Sequence, residues 1–453
     1  MKIIIICLTV AAGAITGAVP KGAARSFFLT AAYFGRIIMK RMIRGSLLAL
    51  LAGSVLTACT GGGSDNGSDA APSTQPGTFD YFEMFVNLAD NVIIPGYEQL
   101  QQQTQQMAGA DGTLARYCAA IGGADETSAR DKAQQAWRDT MAALQRVEVH
   151  QIGPVAERNY ALQKRLITPA KNRVSYCGID RSTVSSRSDG FDLAARPPTQ
   201  KGMYAIEYLL FNNDLAHNCQ EQTPETDDWN TRDETQRRQW RCEYALQLSD
   251  DVAAATDATL TAWRTDGGNY RATFAHPDNQ ESLLEQLSDA LFYVELSVKD
   301  LKLGPPLGLH KSCNRVACPD RVKSPYSKNS LVNIDNNMAG FERVFTGGDG
   351  LGLDDLINAA NLASVTTRLN TQVADLRTYL ASIQQPLIDQ TQAMLASGDD
   401  TNCVNSAANP DTVRSQSACA AHGYLKRVTD TLRTDFVTAL NVDLPDRAQS
   451  DND

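Results

Sequence analysis

Histidine is scarce in this chain of 453 residues: there are five, at positions 150, 217, 276, 310 and 422, and none belongs to an HExxH motif. That absence excludes the zinc-peptidase arrangement in which two imidazoles share a helix face with a glutamate base. No GxSxG occurs, so the nucleophile elbow of serine hydrolases is missing. There is also no CxxC pair and no Cys–His cluster at ligand spacing, which argues against a structural zinc site. Basic charge is not in excess: 42 Lys and Arg stand against 52 Asp and Glu, a formal charge of -10. Nucleic-acid binding wants the opposite sign. Finally, no convincing run alternates polar and apolar residues, so the sequence offers no sheet.

What is present is helical periodicity. Leu287, Leu291, Val294, Val298 and Leu301 step by four and three, as do Leu369, Val373, Leu376, Leu380, Ile383 and Leu387. Such stripes are the buried seams of packed helices. Similar patterns cover 79–108, 127–150, 233–265 and 409–442. The expected fold is all-α, with long antiparallel helices in two bundle halves. The expected boundaries are 79–225 for the first bundle and 226–453 for the second.

The N-terminal region reads as an address. Lys40, Arg41 and Arg44 precede the apolar stretch Leu47 to Leu56, which ends in Leu56-Thr57-Ala58-Cys59. This is a signal region too short to span a bilayer. Its ending looks like a bacterial lipobox, making Cys59 the expected lipidated residue. Residues 1–38 are signal-like in their own right and read as a start assigned too early, within a signal region of 1–58. Residues 59–78, rich in Gly, Ser, Asp and Pro, form a flexible tether. Removing the seven basic residues before Cys59 leaves 35 basic against 52 acidic, a charge of -17.

Cysteine usage agrees with export. Setting aside Cys7 and Cys59 leaves Cys118, Cys177, Cys219, Cys242, Cys313, Cys318, Cys403 and Cys419. An even set in an exported chain reads as disulfides. Proximity along the chain suggests 118 with 177, 219 with 242, 313 with 318 and 403 with 419.

Two polar segments, 178–201 and 303–330, read as long loops of the kind that often carries function. Each leads into a related stretch, MYAIEYLLF from Met203 and MAGFERVF from Met338. Both place a Glu four residues after the Met. This suggests a duplicated unit whose short helix bears an inward carboxylate, with Glu342 as the counterpart of Glu207.

Three segments in order, AWRDTMAALQRVEVHQIGPV from Ala136, KGMYAIEYLLF from Lys201 and SPYSKNSLVNIDNNMAGFERVFTGGDGLGLDDLI from Ser324, resemble the imelysin family of exported and lipid-anchored bacterial proteins. The resemblance covers most of the chain from Phe79 onward. It implies an all-helical fold, association with the cell envelope, and links to iron regulation or metal uptake. Some members are described as metallopeptidases.

The family hallmark GxHxxE reads here as Gly202-Met203-Tyr204-Ala205-Ile206-Glu207. Tyrosine in place of histidine is a poor ligand for a soft divalent ion, although a phenolate suits ferric iron. Tyr204 and Glu207, three apart, share a helix face. Glu148 continues the core-facing stripe Trp137, Met141, Leu144. The candidate ligand- or metal-binding residues are therefore Gly202, Tyr204, Glu207, Glu148 and Glu342, with iron or another divalent or trivalent cation as the cofactor in view. The alternative is structural: buried carboxylates neutralised by an arginine such as Arg173 or Arg165. His150 is expected to be a surface or cap residue unless the helix ends before it.

The functional expectation is a membrane-anchored, non-enzymatic metal (iron) or small-ligand binding module of the envelope. Its partners would be the membrane, through the anchor, and an envelope metal-uptake or redox protein, with no nucleic acid. A carboxylate-based metallopeptidase is the alternative. Thr60 after Cys59, where Asp would retain the protein at the inner membrane, points by resemblance to the outer membrane, facing the periplasm or the cell surface. Cys59→Ser is expected to release the protein from the membrane fraction; mass spectrometry showing an unmodified N-terminus away from Cys59 in the wild type would count against the anchor.

Overall fold

The computed structural model describes residues 79–445, 448 and 449; Cys59, the signal region and the tether lie outside the described residues. Among the described residues every regular element is helical. The longer α-helices are α1 (Tyr81–Asn87), α2 (Ile94–Met107), α3 (Thr113–Ala120), α4 (Glu126–Val147), α5 (Tyr176–Ser185), α6 (Met203–Phe211) and α7 (Glu234–Trp263). They continue as α8 (Gln280–Leu291), α9 (Ser330–Thr346), α10 (Leu353–Ala359), α11 (Ala363–Ser382), α12 (Leu387–Ser397), α13 (Thr401–Ala408) and α14 (Ser417–Thr431).

Local chemistry sets the ends of these helices. Asp233 caps α7 by accepting from the amides of Thr235 and Gln236, which satisfies donors the helix cannot bond internally. Gly347 closes α9 in the left-handed region at φ 67°, the usual way a helix stops on glycine. The stripe through Leu387 is not one helix: α11 ends at Ser382 and α12 begins after Pro386, because the residue before a proline is steered out of helical backbone. The pattern at 409–442 likewise becomes helix only from Ser417. Part of the segment expected as a loop, 178–201, is helical: α5 starts behind Ser175, whose hydroxyl accepts from the Gly178 amide.

Packing joins the helices in a continuous series. α7 lies on α2, α3 and α6; α2 and α3 lie on α4; α4 packs on α9; α9 packs on α11, and α11 on α14. The seams use the residues the stripes marked, including Trp137, Met141 and Leu144 on α4 and Leu369, Val373 and Leu376 on α11, all buried. A π-helical segment, Val294–Leu303, follows α8 and buries Val294, Val298 and Lys302 along with Glu295, Lys299 and Leu303. Wide turns of this kind often mark functional positions.

All eight cysteines expected to pair do so, but two bridges differ from the pairing suggested by proximity. Cys118 joins Cys242 and Cys177 joins Cys219, alongside Cys313–Cys318 and Cys403–Cys419. Tertiary packing decides this: α3 lies on α7, bringing together cysteines 124 residues apart. In a chain-entropy account a bridge closing so long a loop contributes on the order of 4 kcal/mol. Replacing Cys118 and Cys242 by serine is expected to lower the melting temperature far more than replacing Cys313 and Cys318, which close a separation of 5. A non-reducing peptide map that links Cys118 to Cys177 would overturn the pairing.

Candidate functional site

The motif segment forms α6, and all nine of its residues are buried. Gly202 precedes it at φ 74°, and a Cβ there would lie 2.7 Å from the Leu166 carbonyl oxygen. The glycine is thus needed for backbone conformation and close approach to the preceding chain. The Trp137 indole donates to the Met203 carbonyl at 2.9 Å and locks α6 to α4.

Glu207 points inward, 2 % exposed. Its Oε1 accepts from the Tyr326 amide at 2.9 Å, the Ser327 amide at 2.8 Å and the Ser327 hydroxyl at 3.0 Å. These donors belong to the loop that precedes α9, so the carboxylate pins that loop. Burial raises its pKa to about 7, with the Ser327 and Tyr326 donors opposing the rise. No arginine serves here: Arg165 pairs with Asp251 at 2.6 Å and Arg173 with Asp320 at 2.5 Å.

Tyr204 is fully buried and its hydroxyl has no hydrogen-bond partner. Desolvation, reinforced by Glu148 and Glu207, pushes its pKa well above the ordinary value. Burial thus disfavours the phenolate form.

Glu148 sits where its stripe placed it, just past the end of α4, buried at 6 % exposure. Its partner is Lys302. The ammonium donates to Glu148 Oε2 at 2.7 Å, Gln145 Oε1 at 2.7 Å and Asn337 Oδ1 at 2.9 Å. All three of its protons are thereby used. Burial draws the Lys302 pKa below its ordinary value, and Glu148 draws it back up. Asn337 in turn donates to the Gln145 carbonyl at 2.7 Å. A second lysine, Lys323, lies over the Tyr204 ring at 5.7 Å and donates to the Asn172 carbonyl. Desolvation, with the charge of Lys302, lowers its pKa to about 7.

The structure thus brings Gly202, Tyr204, Glu207 and Glu148 into one region and leaves Glu342 elsewhere. Glu342 is half-exposed and pairs with Arg377 at 2.5 Å. It stands on the long helix α9, where the motif comparison anticipated a short helix with an inward carboxylate. His150 is not at the surface: α4 ends at Val147, and the imidazole is buried at 4 % exposure in a cleft with Arg146 and Arg343. Burial, then Arg343, lowers its pKa to about 3.

These residues do not fit a metal ion. Among the described residues no group of three or more His, Cys, Asp or Glu side chains converges as ligands. Burial disfavours the Tyr204 phenolate, Glu207 Oε1 is engaged three times, and Glu148 Oε2 faces an ammonium. Lys302 was missed at the sequence level, although it continues Val294 and Val298 at spacing four, the same arithmetic that located Glu148.

With this geometry in view, residues 93–416 match the Imelysin (Peptidase_M75) family model. The chain belongs to the imelysin family. It is similar to the iron-regulated protein A of Synechococcus elongatus, at 24 % identity over 349 residues, 76 % of this chain and 82 % of that protein. An imelysin-like protein from Psychrobacter arcticum 273-4 shares the fold with a TM-score of 0.56 at 17 % identity, covering 79 % of this chain and 94 % of its own. In this imelysin the motif segment carries Gly202, Tyr204 and Glu207, and Lys302 meets Glu148 beside it.

The raised Glu207 pKa has a definite sign. The folded protein holds a proton that the unfolded chain releases above about 4.5, so this contribution is full below that pH and is lost as pH rises through about 7. Relative to Glu207→Gln, the wild type is expected to lose stability between about pH 4.5 and 7 in urea titrations. A constant difference across that window would refute the buried, protonatable carboxylate.

Proposed function

We propose that this imelysin is a non-enzymatic binding module of the bacterial envelope, tethered through Cys59 as an outer-membrane lipoprotein and serving iron or small-ligand handling. Lys302 carries this reading. Three oxygens from Gln145, Glu148 and Asn337 surround one cationic nitrogen, so the positive charge that a bound cation would supply comes from the chain itself. A hydrolytic metal needs an open coordination position for water. Here the cradle is closed by a side chain.

The iron-regulated name of the Synechococcus relative supports a connection with iron. In this reading the cargo is an iron complex or another small ligand held away from the motif, and an envelope metal-uptake or redox protein is its partner. The motif region acts as a rigid joint that holds α4, α6, the π segment and the loop before α9 in register.

The test is elemental analysis and calorimetry on purified protein and two variants. The wild type is expected to carry no stoichiometric iron or zinc, and Tyr204→His alone is expected to gain none because Lys302 still fills the cradle. Tyr204→His combined with Lys302→Met is expected to gain divalent-metal affinity, since it supplies an imidazole and removes the competing charge. Stoichiometric metal in the wild type, lost on Glu207→Gln, would reject the reading.

A further inference from the structure

At the C-terminal end of α6, a polar cavity of 530 Å³ opens between α3, α4, the segment after α6, and the start of α7. Four of its lining residues are arginines: Arg130, Arg237, Arg238 and Arg241. In a chain with an excess of acidic residues, four guanidinium groups on one cavity need an account.

The arginines differ in how far they are neutralised. Arg238 is paired with Glu126 at 2.8 Å. Arg241 is 1 % exposed and is fixed from behind: it donates to the Asp214 carbonyl at 2.8 Å and the Ala216 carbonyl at 3.1 Å, and lies 3.7 Å from Asp180. Arg237 reaches only the strongly exposed Glu234, at 3.9 Å, and the Leu215 carbonyl at 3.3 Å. Arg130 has a long contact of 3.4 Å to the Asn213 amide oxygen and no carboxylate partner among the described residues.

Two carboxylates also line the cavity. Asp214 is turned toward the Ala216 amide at 2.9 Å, and Glu234 is spread between Arg237 and Arg238 at 3.9 and 3.7 Å. Neither closes on Arg130. Tyr117 lines the same cavity; burial and then Glu126 raise its pKa, while Arg130, Arg238 and Arg241 oppose the rise. The Cys118–Cys242 bridge, adjacent in sequence to Tyr117 and Arg241, clamps α3 to α7 and fixes the two walls.

A guanidinium is a planar fork suited to bidentate oxyanion recognition. We propose that this cavity is a binding site for a small, multiply charged oxyanion, carboxylate or phosphate in kind, with Arg130 and Arg237 as its principal contacts and Arg241 as the rigid floor. The cavity uses the C-terminal end of α6, through Leu209 and Leu210, and none of Gly202, Tyr204 and Glu207 lines it.

The experiment is calorimetry on the purified full chain with citrate and, in a separate titration, pyrophosphate. Binding at one site per chain, weakening as salt is raised, is expected for at least one probe. Citrate alone would identify carboxylate recognition, pyrophosphate alone phosphate recognition, and both the shared oxyanion chemistry. Arg130→Gln is expected to weaken binding by about tenfold, and Arg130→Gln with Arg237→Gln to abolish it. Circular dichroism reports whether each variant is folded, and the single variant, at a half-buried side chain with one long hydrogen bond, carries the test if the double variant does not fold. The site is rejected by no binding of either probe at millimolar concentration, or by undiminished affinity in a folded Arg130→Gln protein.

Discussion

One buried ammonium organises the middle of this protein. Lys302 reaches from the π segment and touches side-chain oxygens on α4, at its end, and on α9. A lone carboxylate at Glu148, or a lone lysine at 302, would be costly to bury. Together with two amides they form a network in which the three ammonium protons are all used. Breaking such a pair by removing one partner typically costs about 3–5 kcal/mol, because the survivor remains charged and dry. The packing of α4 on α9 is thereby tied to one register, since sliding either helix by a turn would strand the charge.

Glu207 is handled in the opposite way. It has no cation; the loop ahead of α9 wraps over it and donates two amides and a hydroxyl. These donors oppose the effect of burial without cancelling it, and the Glu207 pKa is raised to about 7. The two carboxylates of the motif region therefore differ in partner, Glu148 meeting an ammonium and Glu207 meeting amides and a hydroxyl. Tyr204 lies within the fields of both, a phenol whose hydroxyl has no hydrogen-bond partner among the described residues.

The arginines obey a related economy of position. Most are half-exposed and paired with nearby acids, as Arg377 is with Asp335 and Glu342, and such surface pairs are worth little individually. The cavity beside α7 departs from this habit. There the backbone carbonyls of the segment after α6 hold Arg241 rigid, while Arg130 has no carboxylate partner among the described residues. Charge that is fixed and incompletely met is a property of sites more often than of surfaces.

Much of this was legible in the residues. Periodicity alone gave the helical class, and the stripe through Trp137, Met141 and Leu144 placed Glu148 inside; spacing of three set Tyr204 and Glu207 on one face. These are local quantities, fixed by the pitch of a helix, and so the sequence determines them. The partners were not legible. Which cation meets Glu148, which cysteine meets Cys118, and which donors meet Glu207 depend on contacts between segments more than a hundred residues apart, and Glu342 looked like Glu207 until α9 turned it toward Arg377. Only the tertiary structure decided these, because burial assigns each charge a partner by proximity in space, and helix pitch carries no information about which distant helix will lie alongside.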